Sequence, residues 1–310
     1  MRWWFQKVVG RLVGVLRFTS MLASVLGLAI LLIFPSMVVA EEAKGPNTGK
    51  ISLSGGIDYT TDYYFRGIVQ ETKDLILQPY GGLTFKVYEG KTGLTGLNLT
   101  VGTWNSLHWG PTGLDGAVAS DPKVWYESDF YATLAAQLFQ DLTLGVTYTA
   151  YMSPNGVFRT VEEVAFGLSL NDSKWLGPFA LNPSVLLAIE TNGQADAGAD
   201  KGVYLQLGVA PGFALLSDTK TPISVSVPLT LGLSLSDYYE VIGTGGSDDT
   251  FGYFSGGVAA SVPLAFVPTD FGSWQLKGGV QFLTLGDNLK TVNRNDDFEV
   301  IGTVGIALSY

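Results

Sequence analysis

The segment Trp104–Gly110, with the sequence WNSLHWG, contains the residue types of an acyl-transfer site. Ser106 lies two positions before His108, which is the only histidine in the 310 residues. Residues two apart in a strand share a face, so the imidazole could take the serine proton while Asn105 orients the ring. A lipase of this type is expected to place its serine after its histidine and on a strand exterior, whereas here the serine comes first and both point inward. We therefore predict that the chain is not an enzyme and keep a lipase as a remote alternative.

Metal ions and cofactors have little support in the composition. The chain has no cysteine and one histidine, which excludes a disulfide scaffold, a thiolate metal site and a site with several histidines. The acidic stretches ADAGAD at 195–200 and GSDDT at 246–250 offer carboxylates for calcium, but neither follows a calcium-loop pattern. We predict that these stretches are solvated loops, and that the protein uses no metal and no cofactor.

The first 40 residues have the layout of a secretory signal peptide. Four basic residues precede an apolar run, Met21–Phe34, which Pro35 and small residues follow. A spanning helix needs about 20 apolar residues, so the run is short for an uncleaved anchor, which is the alternative. We predict cleavage after Ala40, leaving residues 41–310 as one domain. Cleavage changes the formal net charge from −10 to −14, because it removes four positive and no negative charges, and so acidic a chain is not expected to bind nucleic acid.

Period-two alternation dominates the remaining chain. In residues 142–152, Leu142, Leu144, Val146 and Tyr148 share one face, and mostly threonine and glycine share the other. Twelve such segments can be marked: 51–63, 74–88, 95–107, 123–138, 141–152, 159–170, 179–191, 202–214, 222–236, 250–264, 272–285 and 297–310. They are long compared with the usual soluble strand of about five or six residues, and long enough for a tilted membrane strand, which needs about 9–11.

The connections between these segments alternate between longer and shorter, as do the outer loops and periplasmic turns of outer-membrane barrels. A sheet can cross hydrocarbon only when every backbone group has a partner, which requires closure. An even number of strands would place both ends of the mature chain on the periplasmic side. We predict an all-β fold, a transmembrane antiparallel up-and-down β-barrel of about 12 strands. A soluble β-sandwich or barrel is the alternative.

Aromatic residues cluster near the segment ends, where the rings of an outer-membrane barrel contact lipid headgroups. One predicted girdle contains Phe85, Tyr88, Trp175, Phe179, Phe213, Phe266, Phe271, Trp274 and Tyr310. The other contains Tyr59, Tyr63, Phe65, Trp109, Tyr126, Phe158, Tyr238, Tyr239 and Phe251. The terminal Tyr310 follows apolar residues at alternate positions, and we also predict it to be the insertion signal for the barrel-assembly machinery.

Three stretches early in the mature chain share a pattern with a known family. They are Asp62–Gly67 (DYYFRG), Gly81–Phe85 (GGLTF) and Gly102–Trp104 (GTW). Together they resemble the N-terminal pattern of the TorF family of proteobacterial porin-like proteins, from which Ile68–Glu71 (IVQE) departs, since the family usually has Ile-Ser-Gln-Thr there. The resemblance implies a porin-like outer-membrane barrel and does not imply a particular substrate.

Ionisable residues on the small-or-polar face of the segments are predicted to line the lumen of the barrel. They are Asp58, Asp62, Arg66, Lys86, Glu127, Asp129, Glu163, Glu190, Lys277 and Glu299, and Trp104 joins them as an aromatic residue. The excess of acids over bases would favour cations if the lumen is open. The same groups would plug the lumen if they pair across it. The sequence leaves both arrangements open.

The stretch Thr60–Asp74 is predicted to form the rim of this lumen. Alternation places Tyr63 and Phe65 outward, in a lipid-facing girdle, and Asp62 and Arg66 inward. We therefore expect an Asp62–Arg66 cluster near the mouth of the pore.

These observations predict an outer-membrane channel for the passive diffusion of small solutes or ions, with a preference for cations. The chain is expected to be exported by its signal peptide, to be integral to the bacterial outer membrane and to contact its lipid. The main alternative is a narrow or plugged barrel with a structural or adhesive role, whose outer loops bind a partner.

Overall fold

The computed structural model describes residues 47, 49–110, 124–219, 221–240 and 247–310. The predicted signal peptide, residues 1–40, and its cleavage after Ala40 lie outside the described residues. In chain order, the strands are β1 (Ile51–Thr60), β2 (Tyr63–Phe65), β3 (Ile68–Glu71), β4 (Ile76–Glu89), β5 (Leu94–His108), β6 (Trp125–Leu138), β7 (Leu142–Met152), β8 (Val161–Leu170), β9 (Ser184–Asn192), β10 (Val203–Val209), β11 (Gly212–Leu215), β12 (Ile223–Ser226), β13 (Leu229–Ser236), β14 (Phe251–Pro263), β15 (Ser273–Leu285) and β16 (Phe298–Ser309).

Short helices lie in three places between these strands. Helix α1 (Ser173–Leu176) and the 3-10 turn Gly177–Phe179 connect β8 to β9. A second 3-10 turn, Thr269–Phe271, precedes β15, and helix α2 (Asp287–Val292) connects β15 to β16. No helix of the described residues is long and apolar enough to cross a bilayer.

All strands except β2 and β3 belong to one antiparallel sheet that closes on itself. The closure runs through β1, which pairs with both β4 and β16, and through β14, which pairs with both β13 and β15. Strands β10 and β11 are two halves of one wall strand, and so are β12 and β13. The wall therefore has twelve strands, which confirms the prediction of an antiparallel barrel of that size. The predicted segments match the wall strands one for one.

Prolines cause the two interruptions in the wall. Pro211 lies between β10 and β11 and Pro228 between β12 and β13, and neither has an N–H to donate to a neighbouring strand. Their carbonyl groups still join adjacent strands, because the N–H of Val227 donates to the Pro211 oxygen at 2.8 Å and that of Gly257 donates to the Pro228 oxygen at 3.1 Å. Hydrogen bonding thus continues across both breaks.

The outside of the wall is an apolar belt. Alternate residues on the wall strands present large exposed apolar side chains, including Leu53, Ile57, Leu83, Leu99, Leu134, Leu144, Val146, Phe166, Leu168, Val185, Ile189, Leu207, Leu229, Phe254, Val258 and Val304. A water-soluble protein rarely exposes so continuous an apolar surface. A closed wall with an apolar exterior and a polar interior is the arrangement that a membrane-spanning barrel requires.

One predicted aromatic girdle is in place and the other is largely wrong. We call the end of the barrel that carries Ile51 and Tyr310 the inner end. Turns there expose Trp175, Phe179, Phe266 and Phe271. At the outer end Trp109 and Phe251 are exposed, but five residues predicted to face lipid are buried: Tyr63, Phe65, Tyr126, Tyr238 and Tyr239. These rings point into the barrel and pack against one another, and this packing shields them from water just as lipid would.

The reason lies in the connection between β1 and β4. Thr60 at the end of β1 pairs directly with Ile76 of β4, and Thr61 and Leu75 beyond them still hydrogen-bond the wall through the backbone of Gly302 and Trp109, so the wall is complete without residues 62–74. Those residues form a separate hairpin of β2 and β3, in which Phe65 pairs with Ile68 around the two-residue turn Arg66-Gly67. Both turn residues have positive φ, 49° and 85°, the conformation of a tight hairpin turn. The hairpin folds into the lumen.

Close approach between β4, β5 and β6 requires glycine at position 102. A Cβ at Gly102 would overlap the Tyr131 ring and lie 2.8 Å from the carbonyl oxygen of Gly81. We expect Gly102→Ala to lower the free energy of unfolding by about 1–3 kcal/mol, because backbone cannot move aside cheaply. Gly81→Ala is the matched control, since its Cβ would meet only the Ser54 oxygen at 3.6 Å. Urea unfolding in lipid vesicles, followed by tryptophan fluorescence, measures both, and equal effects would contradict the packing argument.

Candidate functional site

The lumen is accessible at its inner end and filled at its outer end. Near the inner end, the inward-facing Ser52, Ser54 and Lys86 are exposed. Near the outer end, inward-facing residues of the same wall are buried, among them Glu127 and Glu163. The β2–β3 hairpin occupies this outer part, and the groups that hold it there form the candidate site.

The hairpin is held first by an ion pair at its turn. The two terminal nitrogens of Arg66 donate to the two carboxylate oxygens of Glu163 on β8, at 2.7 and 2.8 Å. One of these nitrogens also donates to the Tyr238 hydroxyl at 2.8 Å. Both charged side chains are buried, with 4% and 2% of their surface exposed. Bidentate guanidinium–carboxylate pairs are among the strongest polar contacts in proteins. The carboxylate that holds Arg66 is therefore that of Glu163, whereas we had expected Asp62 as its neighbour.

Aromatic rings complete the surroundings of Arg66. The guanidinium carbon lies 4.2 Å from the centroid of Tyr204 and 5.4 Å from that of Tyr238, both supplied from outside the hairpin. The Tyr239 hydroxyl donates to the Arg66 carbonyl oxygen at 3.1 Å. Burial is the largest single effect and lowers the pKa of Arg66, but Glu163, Tyr238 and Tyr151 together outweigh it and raise the pKa well above its ordinary value. The guanidinium is therefore charged.

The first hairpin strand is held on β5 and β6. The Tyr63 hydroxyl donates to Glu127 at 2.9 Å, and its ring packs against Trp104 with 5.3 Å between centroids. Asp129 lies two positions beyond Glu127 on the same face and is fully buried, yet no hydrogen-bond donor of the described residues reaches either of its oxygens. The outer part of the lumen thus holds more acidic than basic groups around Arg66.

A bulge in β6 brings a second aromatic contact inward. The pairing of β5 with β6 shifts register between Ser106 and Leu107, so Tyr126 is left without a direct partner. Tyr126 and Glu127 are both buried as a result. The Tyr126 hydroxyl donates to the Gln70 side chain of the hairpin at 2.5 Å.

Ser106 and His108 do share a hydrogen bond, at 2.7 Å between Oγ and Nε2. The imidazole stacks on Tyr126 with 4.3 Å between centroids, and both Ser106 and His108 have no exposed surface. Nδ1 of His108 has no hydrogen-bond partner in the described part of the chain, so none of the carboxylates or amides described there orients the ring. The side chain of Asn105 instead accepts from Trp125 at 3.1 Å. Ser106 and His108 thus form a buried hydrogen-bonded pair beside Tyr63 of the hairpin. Neither side chain has an exposed surface that an ester could reach.

The other side of the hairpin is held by the loop that contains α2. The Tyr64 hydroxyl donates to the Asn293 side-chain oxygen at 3.2 Å, and the Asn293 amide donates to Glu299 on β16 at 2.9 Å. Leu289 of α2 is buried in the same apolar cluster as Phe65 and Ile68. The hairpin is therefore fixed from opposite walls of the barrel.

The remaining predicted lumen residues lie apart from the hairpin. Lys277 donates to Asp58 at 2.8 Å across β15, β16 and β1. Glu190 accepts the N–H groups of Ala195 and Gly202, at 2.6 and 2.7 Å, and so shapes the outer loop after β9. Lys86 is exposed near the inner end, and Asp62 is half-buried between β1 and β2. Whether these residues line a conducting path stays a prediction.

The acidic stretch at 195–200 is a folded loop and not a row of solvated carboxylates. Asp196 accepts from the N–H groups of Gly198 and Glu240, and burial raises its pKa to about 6. Glu240 in turn accepts the N–H groups of Ala199 and Asp200. Backbone donors satisfy these carboxylates, and no group of three or more metal-binding side chains occurs within the residues described.

Sequence reasoning missed the hairpin, although one signal of it was present. The alternation of Tyr63–Phe65 continues that of β1, but Arg66-Gly67 places two turn-compatible residues between short apolar runs. That signal predicts a tight hairpin and does not say on which side of the wall it packs.

Known proteins resemble this chain in structure and not in sequence. No family model and no curated protein matches the chain, so the resemblance to the TorF family stays a prediction. An outer-membrane channel from Pseudomonas putida F1 is 14% identical, with a TM-score of 0.44 over 90% of this chain and 100% of that one. The NanC porin is 10% identical, with a TM-score of 0.37 over 83% of this chain and 98% of that one. A bacterial polysaccharide outer-membrane secretin is 10% identical, with a TM-score of 0.42 over 84% and 97%. At such values the similarities carry no functional argument, and the barrel is established by its strand pairing.

The position of the hairpin should depend on the bidentate contact between Arg66 and Glu163. Glu163→Gln leaves the buried Arg66 without its carboxylate, and breaking such a pair costs about 3–5 kcal/mol. We expect the hairpin to detach and trypsin to cut after Arg66, which mass spectrometry detects as a new terminus at Gly67.

A matched control removes an exposed ion pair instead. Asp141→Asn breaks a 3.3 Å contact with Lys174, whose side chain is 65% exposed, and such pairs are worth about 0–1 kcal/mol. This variant should resist cleavage at Arg66 as the wild type does. Equal resistance of Glu163→Gln would show that the ion pair does not hold the hairpin.

Proposed function

We propose that the protein is an outer-membrane channel for small solutes that the β2–β3 hairpin closes at the outer end. The observation that carries this proposal is the direct pairing of Thr60 with Ile76. Because the wall closes without the hairpin, displacement of the hairpin would open the lumen without exposing unpaired wall backbone. The hairpin is thus built as a removable part.

The surface below the hairpin suits a water-filled passage. Threonines of neighbouring strands pair there with each other, with 2.9 Å between the hydroxyls of Thr84 and Thr100 and 2.8 Å between those of Thr133 and Thr147. Such pairs satisfy one another and hold no charge that would trap an ion. Passive diffusion through this part needs no cofactor.

Acidic side chains favour cations at the outer constriction. Glu127, Asp129 and Glu163 are buried there, and Arg66 contacts Glu163. When the hairpin leaves, the Arg66 guanidinium leaves Glu163, and the wall retains the carboxylates. The resulting negative field would admit cations in preference to anions.

Export and insertion belong to the same proposal. The N-terminal 40 residues would direct secretion, and the apolar belt would place the barrel in lipid of the outer membrane. Tyr310 directly follows the last strand, β16, and its backbone exchanges hydrogen bonds with Leu53 at 2.7 and 2.8 Å. We propose that this terminal strand is what the barrel-assembly machinery binds before β1 closes the wall.

A second candidate is a plugged barrel with a structural or adhesive role. It is favoured by the number of side chains that hold the hairpin, which contact β5, β6, β8 and the loop of α2. In that case the hairpin never leaves, and the folded outer loops around Glu190 and Glu240 would contact a partner.

Comparison of the wild type with a variant that lacks the hairpin separates the two candidates. Replacing residues 61–75 by Asn-Gly joins Thr60 to Ile76 through a two-residue turn that suits paired strands. In planar bilayers with a KCl gradient, we expect steady ohmic steps and a cation-selective reversal potential. The wild type should show smaller or rarer steps.

The fold of the variant is checked by its heat-dependent migration in SDS electrophoresis, which distinguishes a folded from an unfolded barrel. A wild type that stays silent at a protein input at which the folded variant conducts would overturn the channel proposal and favour the plugged barrel, and silence of the folded variant would overturn the channel as well. Anion selectivity would leave the channel in place and overturn its preference for cations.

A further inference from the structure

We propose that the cage around Arg66 is a binding site for a guanidinium-bearing solute, and that the arginine of the hairpin occupies this site in the closed barrel. The inference rests on the proposed function, since it names a class of solute for the channel. It goes beyond that function because the groups that hold Arg66 in the closed barrel are also the groups that would bind the solute.

The cage is supplied from outside the hairpin. Glu163 belongs to β8, Tyr204 to β10, and Tyr238 follows β13. These three residues provide the bidentate carboxylate, the closest aromatic face and a hydroxyl acceptor for the guanidinium. Removal of the hairpin would therefore empty the site without dismantling it.

Contacts that do not involve Arg66 hold the cage in shape. The Tyr204 hydroxyl lies 2.9 Å from that of Tyr253 and donates to Gln206 at 2.9 Å. The Tyr238 backbone N–H donates to Ser234 at 3.1 Å, and the rings of Tyr204 and Tyr238 are 5.0 Å apart. A ligand would thus meet side chains that are already oriented, which reduces the ordering that binding requires.

The geometry selects a guanidinium over an ammonium ion. A planar fork can meet both oxygens of Glu163 while its face lies over Tyr204, whereas an ammonium is a compact point charge that cannot make the two parallel hydrogen bonds and the ring contact together. The Nε atom of Arg66 has no hydrogen-bond partner among the described residues. The site therefore needs no hydrogen bond from the nitrogen that bears the alkyl chain, and it fits a guanidinium with one alkyl substituent.

The surrounding charge supports a cationic ligand. Asp129 is fully buried near Glu127, and no hydrogen-bond donor of the described chain reaches its carboxylate. Two buried carboxyl groups so close together do not both ionise, and the negative charge that the cage offers is that of Glu163. A cation in the cage is thus favoured whether the hairpin or a solute supplies it.

Competition follows from shared occupancy. A solute that binds the cage only when Arg66 is absent shifts the equilibrium towards the open barrel by its differential affinity. An alkylguanidinium would then open the channel that it enters, and an alkylammonium of similar length would not.

The test uses agmatine as the probe and putrescine as the matched control, since both carry two positive charges on a four-carbon chain and only agmatine has a guanidinium; both are added at equal ionic strength in planar bilayers. In Arg66→Ala the cage is vacant, and we expect agmatine to block the current at a concentration at least about tenfold lower than putrescine does. In the double variant Arg66→Ala, Glu163→Gln this difference should vanish. In the wild type, agmatine should raise the frequency of opening.

Two further measurements separate failure of the site from failure of the channel. Isothermal titration of agmatine into detergent-solubilised Arg66→Ala detects the site without any current. Binding without conductance keeps the inference and overturns the channel. Conductance with equal block by both amines overturns the inference and keeps the channel. If Arg66→Ala does not fold, the variant with residues 61–75 replaced by Asn-Gly has the same vacant cage, and the same comparison decides.

Discussion

The pairing of backbone groups in the wall is the constraint on which the rest of this structure depends. In hydrocarbon, each unpaired N–H or C=O is costly, so the twelve wall strands close and none can move without breaking hydrogen bonds. A gate in such a barrel has to come from a segment that the wall does not use. The hairpin meets this condition because Thr60 and Ile76 pair with each other beneath it.

The second constraint is that a buried charge needs a partner. Arg66 is carried into the lumen on a two-residue turn, where Glu163 from the opposite wall meets it. The pair fixes the position of the hairpin more than it stabilises the fold, because the free energy that the two charges lose with their hydration is about as large as the free energy of their attraction. Its geometry admits one orientation of the hairpin. Tyr63 on Glu127 and Tyr64 on Asn293 then hold the same orientation from two other directions.

Alternation predicted the wall well because every wall strand has one lipid face and one lumen face, so residue type reports orientation directly. It failed for Tyr63 and Phe65, because the packed interior around Tyr151 and Trp104 is as apolar as lipid and takes the same side chains. It found Arg66, Glu127 and Glu163 as inward groups but could not pair them, since their separation in sequence carries no information on distance. The bulge at Tyr126 is also invisible to a strict period of two.

The contacts of the hairpin divide into two kinds that respond differently to a ligand. Arg66 can be replaced by a competing cation, because its partners remain on the wall. Tyr63, Phe65 and Ile68 are buried, and no small ion replaces that burial, which is worth about 1.5–3 kcal/mol for a large apolar side chain. A cationic ligand therefore replaces only the contacts of Arg66, and the apolar contacts that bind the hairpin to the lumen wall remain. The closed state should remain the more populated one until the ligand is well above its dissociation constant, so the apolar residues of the hairpin, and not its arginine, set the concentration at which the barrel opens.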